Sequence, residues 1–377
     1  MRSRPYSKQK ADMKIANMET YLLRLPFKTG APTRILGGRS WPTLDHVLVK
    51  LETDDGRVGW GEAFGYGAAF ATRAALDHML KPSIIGCDAR RIADISRQLQ
   101  RDNHLWGRYG VTMFAISGVD IALWDLTAKA ANLPLSQLLG GAVRTEIEAY
   151  ASLFKYEDPE MVAQRVDAAL QDGYRYIKLH ETGLDEAIAA RNVAGDGLPL
   201  MIDTNCPWTP REAREAALAL LECDPYWLEE PIFPPEDFDS LARLQNDVGI
   251  PIAAGENACT VFEFQKMFSA GAVSFAQPSV TKVGGITEFV KIQTLAETHG
   301  ISLMPHSPYF GPGFLATLQL AAAMPDEPLI ERFYMDIEAS LYGDIINPQN
   351  GIFRLPHGPG LGCEPDLDVI KDYASRQ

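Results

Sequence analysis

The fold is decided by four short apolar runs in the middle of the chain: YRYIKLH (174–180), LPLMIDTN (198–205), PYWLEEP (225–231) and IPIAAGEN (250–257). Each run ends in polar or ionisable residues, and the segment that follows it is helical in character. Unbroken apolar runs are typical of strands buried on both faces, as the strands of a parallel sheet are. The alternation of such runs with helical segments predicts an α/β protein.

The same alternation continues on both sides of this stretch, in EIEAYASL (146–153), AVSFAQPS (272–279), ISLMPHS (301–307) and LIERFY (329–334). One residue taken from each of the eight runs gives intervals of 26, 25, 26, 27, 23, 27 and 25 residues; these residues are Ser152, Lys178, Asp203, Glu229, Glu256, Ser279, His306 and Glu331. Each interval has the length of a strand, a crossover helix and two loops. Eight such units close a (β/α) barrel, whose active site lies at the C-terminal ends of the strands.

The residues before the barrel have a different texture. Residues 15–67 are strand-like, with a tight hairpin turn at Asp54–Arg57, and residues 71–139 are helical. The long stretch Lys28–Ser40 is predicted to be a mobile flap. The predicted organisation is a disordered end at 1–13, an α+β capping domain at 14–140 completed by 344–377, and a catalytic barrel at 141–343.

The composition excludes several classes of function. The chain has 377 residues, with 35 Lys and Arg against 49 Asp and Glu for a net charge of −14, and 46% of its residues are hydrophobic. The acidic balance and the lack of a long basic run exclude nucleic acid as a partner. Five cysteines without a CxxC pair argue against a disulfide framework or a zinc ribbon, and they indicate the cytoplasm. Because no run approaches about 20 apolar residues, we predict no membrane span.

Three acidic residues fall at the ends of three successive predicted strands: Asp203, Glu229 and Glu256. Carboxylates that converge at the mouth of a barrel repel one another unless a cation lies between them. Oxygen ligands without Cys or His select a hard ion, and Mg²⁺ is the first choice. Solvated loop acids are the alternative interpretation, which the matching strand ends make the weaker one.

Nitrogen groups flank this predicted metal site. Lys178 and His180 are two residues apart on one strand, so their side chains point to the same face. His306 ends a strand on the far side of the barrel. Such a site suits the removal of a proton next to a carboxylate, because the metal holds the carboxylate and a base with a near-neutral pKa takes the proton. The alternative for His306 is a structural histidine in a turn.

Four segments carry a family signature: FAISGVDIALWDLTAKAANLPLSQLLGG (114–141), LEEP (228–231), AGEN (254–257) and KVGG (282–285). In combination they closely resemble the mandelate racemase/muconate lactonising enzyme family of the enolase superfamily. The resemblance covers about residues 15–370. It implies a modified (β/α)7β barrel that is capped by an α+β domain.

The resemblance also implies roles for individual residues. One Mg²⁺ per subunit is implied, with its ligands at Asp203, Glu229 and Glu256. The family's Lys-x-Lys motif falls on Lys178 and His180, so His180 is the base here and Lys178 contacts the substrate carboxylate. The histidine of the opposite face falls on His306. The remaining matches are Glu331, whose family counterpart hydrogen-bonds the substrate carboxylate, and the secondary polar positions Asn205 and Lys282.

One position departs from the family pattern. In racemase-like members an Asp on the sixth strand pairs with the opposite-face histidine, and the lactonising branch has a catalytic Lys there. The corresponding residue in this chain is Ser279, within QPSVTKVGG (277–285). The charged form of His306 therefore loses a partner, which weakens it as a proton donor.

Several functions remain open. The first is Mg²⁺-dependent dehydration of an acid sugar or other α-hydroxy acid, in which His180 removes the α-proton and His306 protonates the departing β-hydroxyl. The second is a racemase or epimerase that uses His180 and His306 as bases on opposite faces; the missing Asp weakens this hypothesis. Lactonisation or another β-elimination is a lesser alternative. A catalytically impaired carboxylate-binding relative is the last.

The identity of the substrate also stays open. The predicted flap carries Arg34 and Arg39, which suit a distal carboxylate. It also carries apolar residues, and Trp41 adjoins it. A small-molecule carboxylate is the predicted partner in either case, and the resemblance implies a homo-oligomer, a dimer or an octamer.

Overall fold

We describe the fold from a computed structural model, and the description covers residues 13–30, 35–36 and 39–375. The predicted disordered end, apart from Met13, lies outside these residues, as does part of the predicted flap.

The N-terminal part of the chain forms an antiparallel sheet. The strands of this part of the chain are β1 (Ile15–Lys28), β2 (Ile35–Leu36), β3 (Arg39–Ser40), β4 (Thr43–Thr53) and β5 (Val58–Ala63). β4 lies between β1 and β5, whereas β2 and β3 pair with each other. The predicted hairpin turn joins β4 to β5, where the amide of Thr53 donates to the carbonyl of Arg57 at 3.0 Å.

One face of this sheet is covered by a long helix. The helical elements of the region are α1 (Ala69–Ala74), a π-helical turn (Ala75–Leu80), α2 (Lys81–Ile84), α3 (Ile92–Asp102), a 3-10 turn (His104–Trp106), α4 (Val111–Ala131) and α5 (Leu135–Leu138). A Cβ atom on Gly61 of β5 would lie 2.1 Å from the carbonyl oxygen of Gly118, so only glycine permits this close approach of α4. Within the described residues α4 is long and apolar enough to cross a membrane, but 78% of its apolar window is buried in the fold. It is therefore a core helix.

The second part of the chain alternates strands with helices. Its strands are β6 (Glu146–Ser152), β7 (Ile177–Leu179), β8 (Leu200–Asp203), β9 (Pro225–Glu229), β10 (Ile252–Ala254), β11 (Phe275–Ala276), β12 (Ser302–Leu303) and β13 (Ile330–Phe333). The helices between them are α6 (Pro159–Gln171), α7 (Leu184–Ala194), α8 (Pro210–Leu220), α9 (Phe238–Val248), α10 (Thr260–Ser269), α11 (Gly285–His299) and α12 (Pro312–Ala323). A 3-10 turn at Leu221–Cys223 follows α8.

All eight strands are parallel and lie in the order β12-β11-β10-β9-β8-β7-β6-β13. The last strand of the barrel, β13, thus pairs with the first, β6, as closure of a barrel requires. Seven strand–helix units followed by a final strand confirm the predicted (β/α)7β barrel and its α+β cap. The carboxyl ends of all eight strands meet at one mouth.

A layer of large side chains fills the interior of the barrel. Its buried members are Tyr150, Met201, Trp227, Ala253, Met304 and Leu329. Side chains alternate between the two faces of a strand, so the residue two positions later points to the same side. Asp203 lies two positions after Met201 and Glu229 two after Trp227. The apolar layer is therefore the floor of the site, and the polar residues at the strand ends lie directly above it.

The C-terminal residues return to both parts of the fold. They form β14 (Asp336–Ile337), a 3-10 turn (Gly343–Ile346), β15 (Ile352–Arg354) and α13 (Leu367–Tyr373). β14 pairs with β1, β15 pairs with β6, and the amide of Ser375 donates to the carbonyl of Leu22 at 2.8 Å. The domain boundaries at 14–140, 141–343 and 344–377 stay a prediction.

Candidate active site

The mouth of the barrel carries a layer of buried polar side chains directly above the apolar floor. Its members are at most 3% exposed: Ser152, Lys178, Asp203, Glu229, Glu230 and Glu331. Parallel register brings residues from neighbouring strands side by side, and Asp203 of β8 pairs with Glu229 of β9. The structure therefore brings together residues that are up to 179 positions apart, such as Ser152 and Glu331.

Lys178 lies at the centre of this layer. Its Nζ is 3.1 Å from Asp203 Oδ2, 3.0 Å from Glu229 Oε1 and 3.0 Å from Glu331 Oε1. Burial disfavours the ammonium form, but the charges of Glu229 and Glu331 outweigh burial and hold the pKa of Lys178 well above its usual value. The lysine is therefore a permanent cation at the floor of the site.

His180 is held in one orientation. Its Nδ1–H donates to the carbonyl of Leu153 at 2.6 Å, which leaves Nε2 to face Asp203 Oδ2 at 3.2 Å. Burial alone would lower the pKa of His180, but the charge of Asp203 and its hydrogen bond raise it above the usual value. The atom available to a proton from a bound molecule is thus Nε2.

His306 stands beside a different carboxylate. Its Nε2 pairs with Glu256 Oε2 and lies 4.0 Å from Glu331 Oε2. Nδ1 of His306 is buried and has no hydrogen-bond partner among the described residues. Ser279 does not supply that partner, because its hydroxyl pairs with the phenol of Tyr309. The two imidazoles, His180 next to Asp203 and His306 next to Glu256, flank the carboxylate layer.

The carboxylates match the donor chemistry of a hard cation. Burial, and after it the negative charge of Asp203, raises the pKa of Glu229 well above its usual value, so a cation between these carboxylates would favour their ionised forms. An oxygen-only donor set fits Mg²⁺. As the side chains stand, no group of three His, Cys, Asp or Glu residues within the described ranges is arranged to hold a metal ion. The reason is that Lys178 bridges Asp203 and Glu229, while Glu256 is turned to His306.

The remaining predicted residues lie in different places. Asn205 donates through Nδ2 to Asp203 Oδ1 at 2.9 Å, and Lys282 Nζ lies 3.9 Å from Glu256 Oε1. Both therefore contact the predicted metal ligands. Arg34 lies outside the described residues, and of Arg39 only the backbone, in β3, is described. The assignment of these two arginines to the substrate stays a prediction.

Sequence reasoning missed a second buried acid, Glu230. Its carboxylate accepts from Asn257 Nδ2 at 2.7 Å and contacts Cys206 Sγ at 3.5 Å. Burial and the charge of Glu256 raise the pKa of Glu230 to about 8. The residue also has a positive φ of 43°, a conformation that is costly outside glycine and recurs at functional sites. The doubled acid in LEEP (228–231) was the available signal.

Two hydrogen-bond donors that orient the carboxylates were also missed. Trp227 Nε1 donates to Glu229 Oε2 at 2.9 Å, and Ser152 Oγ donates to Glu331 Oε1 at 2.7 Å. Each belongs to a strand end of the barrel. Spacing along the sequence could place both residues in the barrel but gave no sign of which acid each would contact.

A cavity of about 600 Å³ opens above the polar layer. His180, Glu256, His306 and Glu331 line its lower part. Its upper wall is aromatic and is formed by Trp41, Phe64, Tyr66, Phe154 and Phe333. The rings lie close together: the ring centroids are 5.1 Å apart for Phe154 and Phe333 of the barrel. They are 5.4 Å apart for Trp41 and Tyr66 of the cap. The cap and the barrel together therefore enclose the space above the histidines.

Two sequence profiles match the chain. The profile described as the N-terminal domain of mandelate racemase / muconate lactonizing enzyme matches residues 21–140, and the profile described as enolase C-terminal domain-like matches residues 160–369. The chain belongs to the mandelate racemase/muconate lactonizing enzyme family. Membership confirms the resemblance that the four signature segments indicated.

Individual members of the family agree with this placement. The chain is similar to the D-galactarolactone cycloisomerase of Agrobacterium fabrum, with 32% identity over 96% of this chain and 99% of the relative. It is similar to the arabinonate dehydratase of Saccharolobus solfataricus, with 31% identity over 88% and 91%. Among solved structures, a racemase from Streptomyces coelicolor with bound magnesium has a TM-score of 0.84 and 30% identity, covering 96% of this chain and 100% of that one.

These comparisons confirm the predicted class of enzyme. A dehydratase is among the relatives and a racemase among the similar structures, as the first and second hypotheses expected, whereas neither hypothesis named the cycloisomerase. The family is Mg²⁺-dependent, and the bound magnesium of the Streptomyces racemase agrees with the predicted cofactor. The comparisons do not assign a role to any single residue of this chain.

Proposed function

We propose that the chain is a Mg²⁺-dependent dehydratase of an acid sugar, and that the reaction begins with removal of the proton α to the carboxylate. The observation that carries the proposal is the orientation of His180. Its Nδ1–H donates to the carbonyl of Leu153, so Nε2 is the ring nitrogen that faces the site, beside Asp203 Oδ2. A base held by a backbone carbonyl at its second nitrogen is pre-organised for proton transfer.

Each residue of the site has a step in this proposal. His180 Nε2 takes the α-proton, and the electrons of the broken C–H bond move toward the carboxylate. The Lys178 ammonium lies within reach of that developing charge. His306 then gives a proton to the β-hydroxyl, which leaves as water, and Glu331 orients the substrate carboxylate. The enol that remains becomes a 2-keto-3-deoxy acid.

The metal would be held by Asp203, Glu229 and Glu256, with Asn205 orienting the first of these through its amide. When bound, Mg²⁺ supplies positive charge that neutralises the charge developing on the substrate carboxylate. The three carboxylates lie at the ends of neighbouring strands of the barrel.

A racemase is the second candidate, and the two flanking imidazoles favour it. His180 and His306 both line the cavity, from β7 and from the loop after β12. A two-base reaction needs the second histidine to take or give a proton on its own. Dehydration is preferred because the carboxylate that pairs with this histidine in racemase-like members is replaced by Ser279, which contacts Tyr309 instead.

The test is a screen of the Mg²⁺-loaded protein in D₂O against a library of acid sugars and small α-hydroxy acids, with D-galactonate, arabinonate and D-galactarolactone included. Proton NMR follows the α-proton signal and any new product. Loss of the α-proton together with a 2-keto-3-deoxy product supports the dehydratase. Exchange without a product supports the racemase. A bound Mg²⁺ with no exchange in any acid would contradict both.

Two variants separate the roles of the histidines. His180→Asn should abolish α-proton exchange, whereas His306→Asn should abolish product formation and leave exchange. The reverse pattern would exchange the acid and the base. A loss of both activities in both variants would contradict the separate roles of His180 as base and His306 as acid, but not the class of reaction.

We also propose that the enzyme works in the cytoplasm as a homo-oligomer, a dimer or an octamer. All five cysteines are unpaired in the structure, which suits a reducing compartment. Light scattering coupled to size-exclusion chromatography measures the assembly directly.

A further inference from the structure

Three residues of one cap segment contact the barrel around the loop that carries His306. They are Glu62, Phe64 and Tyr66, which we call the cap clamp. Glu62 Oε2 accepts from the amide of Gly313 at 2.8 Å, and Tyr66 Oη donates to the carbonyl of Pro308. Residues spaced by two in extended chain point the same way, so one short segment can hold several barrel loops.

The middle member of the cap clamp contacts the neighbouring loop. The amide of Phe64 donates to the carbonyl of Thr281 at 3.4 Å, and Lys282 Nζ lies 4.8 Å from the centre of the Phe64 ring. Two loops of the barrel are thus attached to a single segment of the cap.

Glu62 is itself held in place by a buried histidine. His46 Nδ1 lies 2.6 Å from Glu62 Oε1, and the two residues are 0% and 3% exposed. One oxygen of the carboxylate is therefore bound by His46 and the other by the first turn of α12. A buried carboxylate is stable only when such partners are present, and the N-terminus of a helix favours a negative charge.

Two glycines lie where this carboxylate leaves little space for a side chain. A Cβ atom on Gly311 would lie 2.6 Å from Glu62 Oε2, and one on Gly313 would lie 3.0 Å from the same atom. Any larger side chain at either position would displace the carboxylate. Gly311 therefore leaves the space that Glu62 occupies, and Gly313 leaves space for both Glu62 and Thr281, whose Cγ2 would lie 2.4 Å from its Cβ.

The loop between β12 and α12 carries His306 and ends at Gly311, two residues before the Gly313 that Glu62 binds. The imidazole of His306 pairs through Nε2 with Glu256, whereas its Nδ1 has no hydrogen-bond partner among the described residues. The path of the loop, which is fixed at its ends, sets where the imidazole meets Glu256. We propose that Glu62 is a positioning residue for His306: its carboxylate, held by His46, fixes the start of α12 and with it the loop that carries the proposed acid. The inference rests on the role of His306 in the proposed function.

The decisive variant is Glu62→Gln, which keeps the shape of the side chain. An amide carries no negative charge and presents a donor at the position of one carboxylate oxygen, so it can bind His46 and Gly313 together only if His46 moves its ring proton from Nδ1 to Nε2, a buried atom without a hydrogen-bond partner among the described residues. Hydrogen–deuterium exchange of the full chain loaded with Mg²⁺ alone should show amides of residues 307–314 exchanging about tenfold faster. Peptides around Asp203 and Glu229 should be unchanged. Equal protection of residues 307–314 in the two proteins would overturn the proposal.

A kinetic readout separates positioning from general destabilisation. With the acid found in the D₂O screen, Glu62→Gln should lower product formation at least tenfold and change α-proton exchange by less than about threefold, because exchange depends on His180. An equal fall in both rates would mean that Glu62 supports the fold only. If the glutamine variant does not fold, Tyr66→Phe, which loses only the hydroxyl bond to Pro308, should shift the ratio in the same direction by a smaller factor.

The matched control is Thr287→Val, which removes another contact between the cap and the barrel. Trp124 Nε1 donates to Thr287 Oγ1 at 3.0 Å, away from the loop of His306. This control should leave the ratio of product formation to exchange unchanged. A shifted ratio would assign the effect to cap attachment in general and overturn the proposal. Absence of exchange in the wild-type chain would instead refute the proposed function, while the deuterium experiment would still decide the role of Glu62.

Discussion

Replacement of Lys178 by methionine should produce a large and metal-dependent loss of stability. The ammonium is fully buried and lies 3.0 to 3.1 Å from three carboxylates. Removing one partner of a buried ion pair costs about 3–5 kcal/mol, since the opposite charge is left unpaired. With three carboxylates affected at once, we expect the metal-free variant to lose about 5 kcal/mol of unfolding free energy at pH 7.

The effect should change with pH in a defined direction. Against the effect of burial, Lys178 helps to hold the pKa of Asp203 and of Glu331 below their usual values. A carboxylate with a depressed pKa contributes stability that is present above its unfolded pKa of about 4 and is lost as the pH falls through the folded pKa. The variant lacks this contribution. The difference between the two proteins should therefore shrink as the pH falls below about 4.

Mg²⁺ should stabilise the variant more than the wild-type chain, because the cluster then lacks its own cation. Urea unfolding with and without Mg²⁺ measures both effects. Lys155→Met is the matched control: Lys155 is half-exposed and pairs with Glu157 at 2.9 Å, so its loss should cost less than about 1 kcal/mol. A metal-free Lys178→Met protein within about 1 kcal/mol of wild type would refute the reasoning, as would a larger effect of Mg²⁺ on the wild-type chain.

Three further predictions follow from single side chains. Glu229→Gln should abolish activity together with Mg²⁺ binding, which calorimetric titration measures; tight binding in that variant would remove Glu229 from the ligand set. Phe333→Leu should raise KM about tenfold with a smaller change in kcat, because the ring forms the wall 6.1 Å from His180; steady-state kinetics on the screened substrate tests this. Burial raises the pKa of Asp120 to about 7, so the folded state binds a proton that the unfolded state lacks, and stability should fall as the pH rises from about 4 to 7. Asp120→Asn should flatten that slope in urea unfolding; an unchanged slope would mean that Asp120 is ionised throughout.

The barrel was predictable because its strands are buried on both faces. Continuous apolar runs at nearly equal spacing leave few other folds, and the polar residue that ends each run must lie at the mouth. Asp203, Glu229 and Glu331 are buried there together, as the spacing indicated. The resemblance of four segments to one family then identified the type of chemistry. Spacing and resemblance thus reinforced each other for residues that belong to strand ends.

Other features depend on contacts between distant parts of the chain and were not predictable. Glu62 lies in the cap and contacts Gly313 across 251 positions, and no local pattern links the two. The contact of Lys178 with the substrate stays a prediction, and the spacing gave no sign that its ammonium contacts three carboxylates. That arrangement depends on the distances across the barrel, which periodicity does not specify.

Position 279 shows how a departure from the family pattern is accommodated. A serine hydroxyl cannot pair with an imidazolium as a carboxylate does, and Ser279 instead binds the phenol of Tyr309, in the loop that carries His306. The same loop is bound by Tyr66 at Pro308, and Glu62 binds Gly313 in the first turn of α12, just after the loop. These three contacts specify the path of the loop without touching the imidazole. Glu256 then pairs with Nε2 of His306, so the imidazole is held beside a carboxylate without an aspartate at position 279.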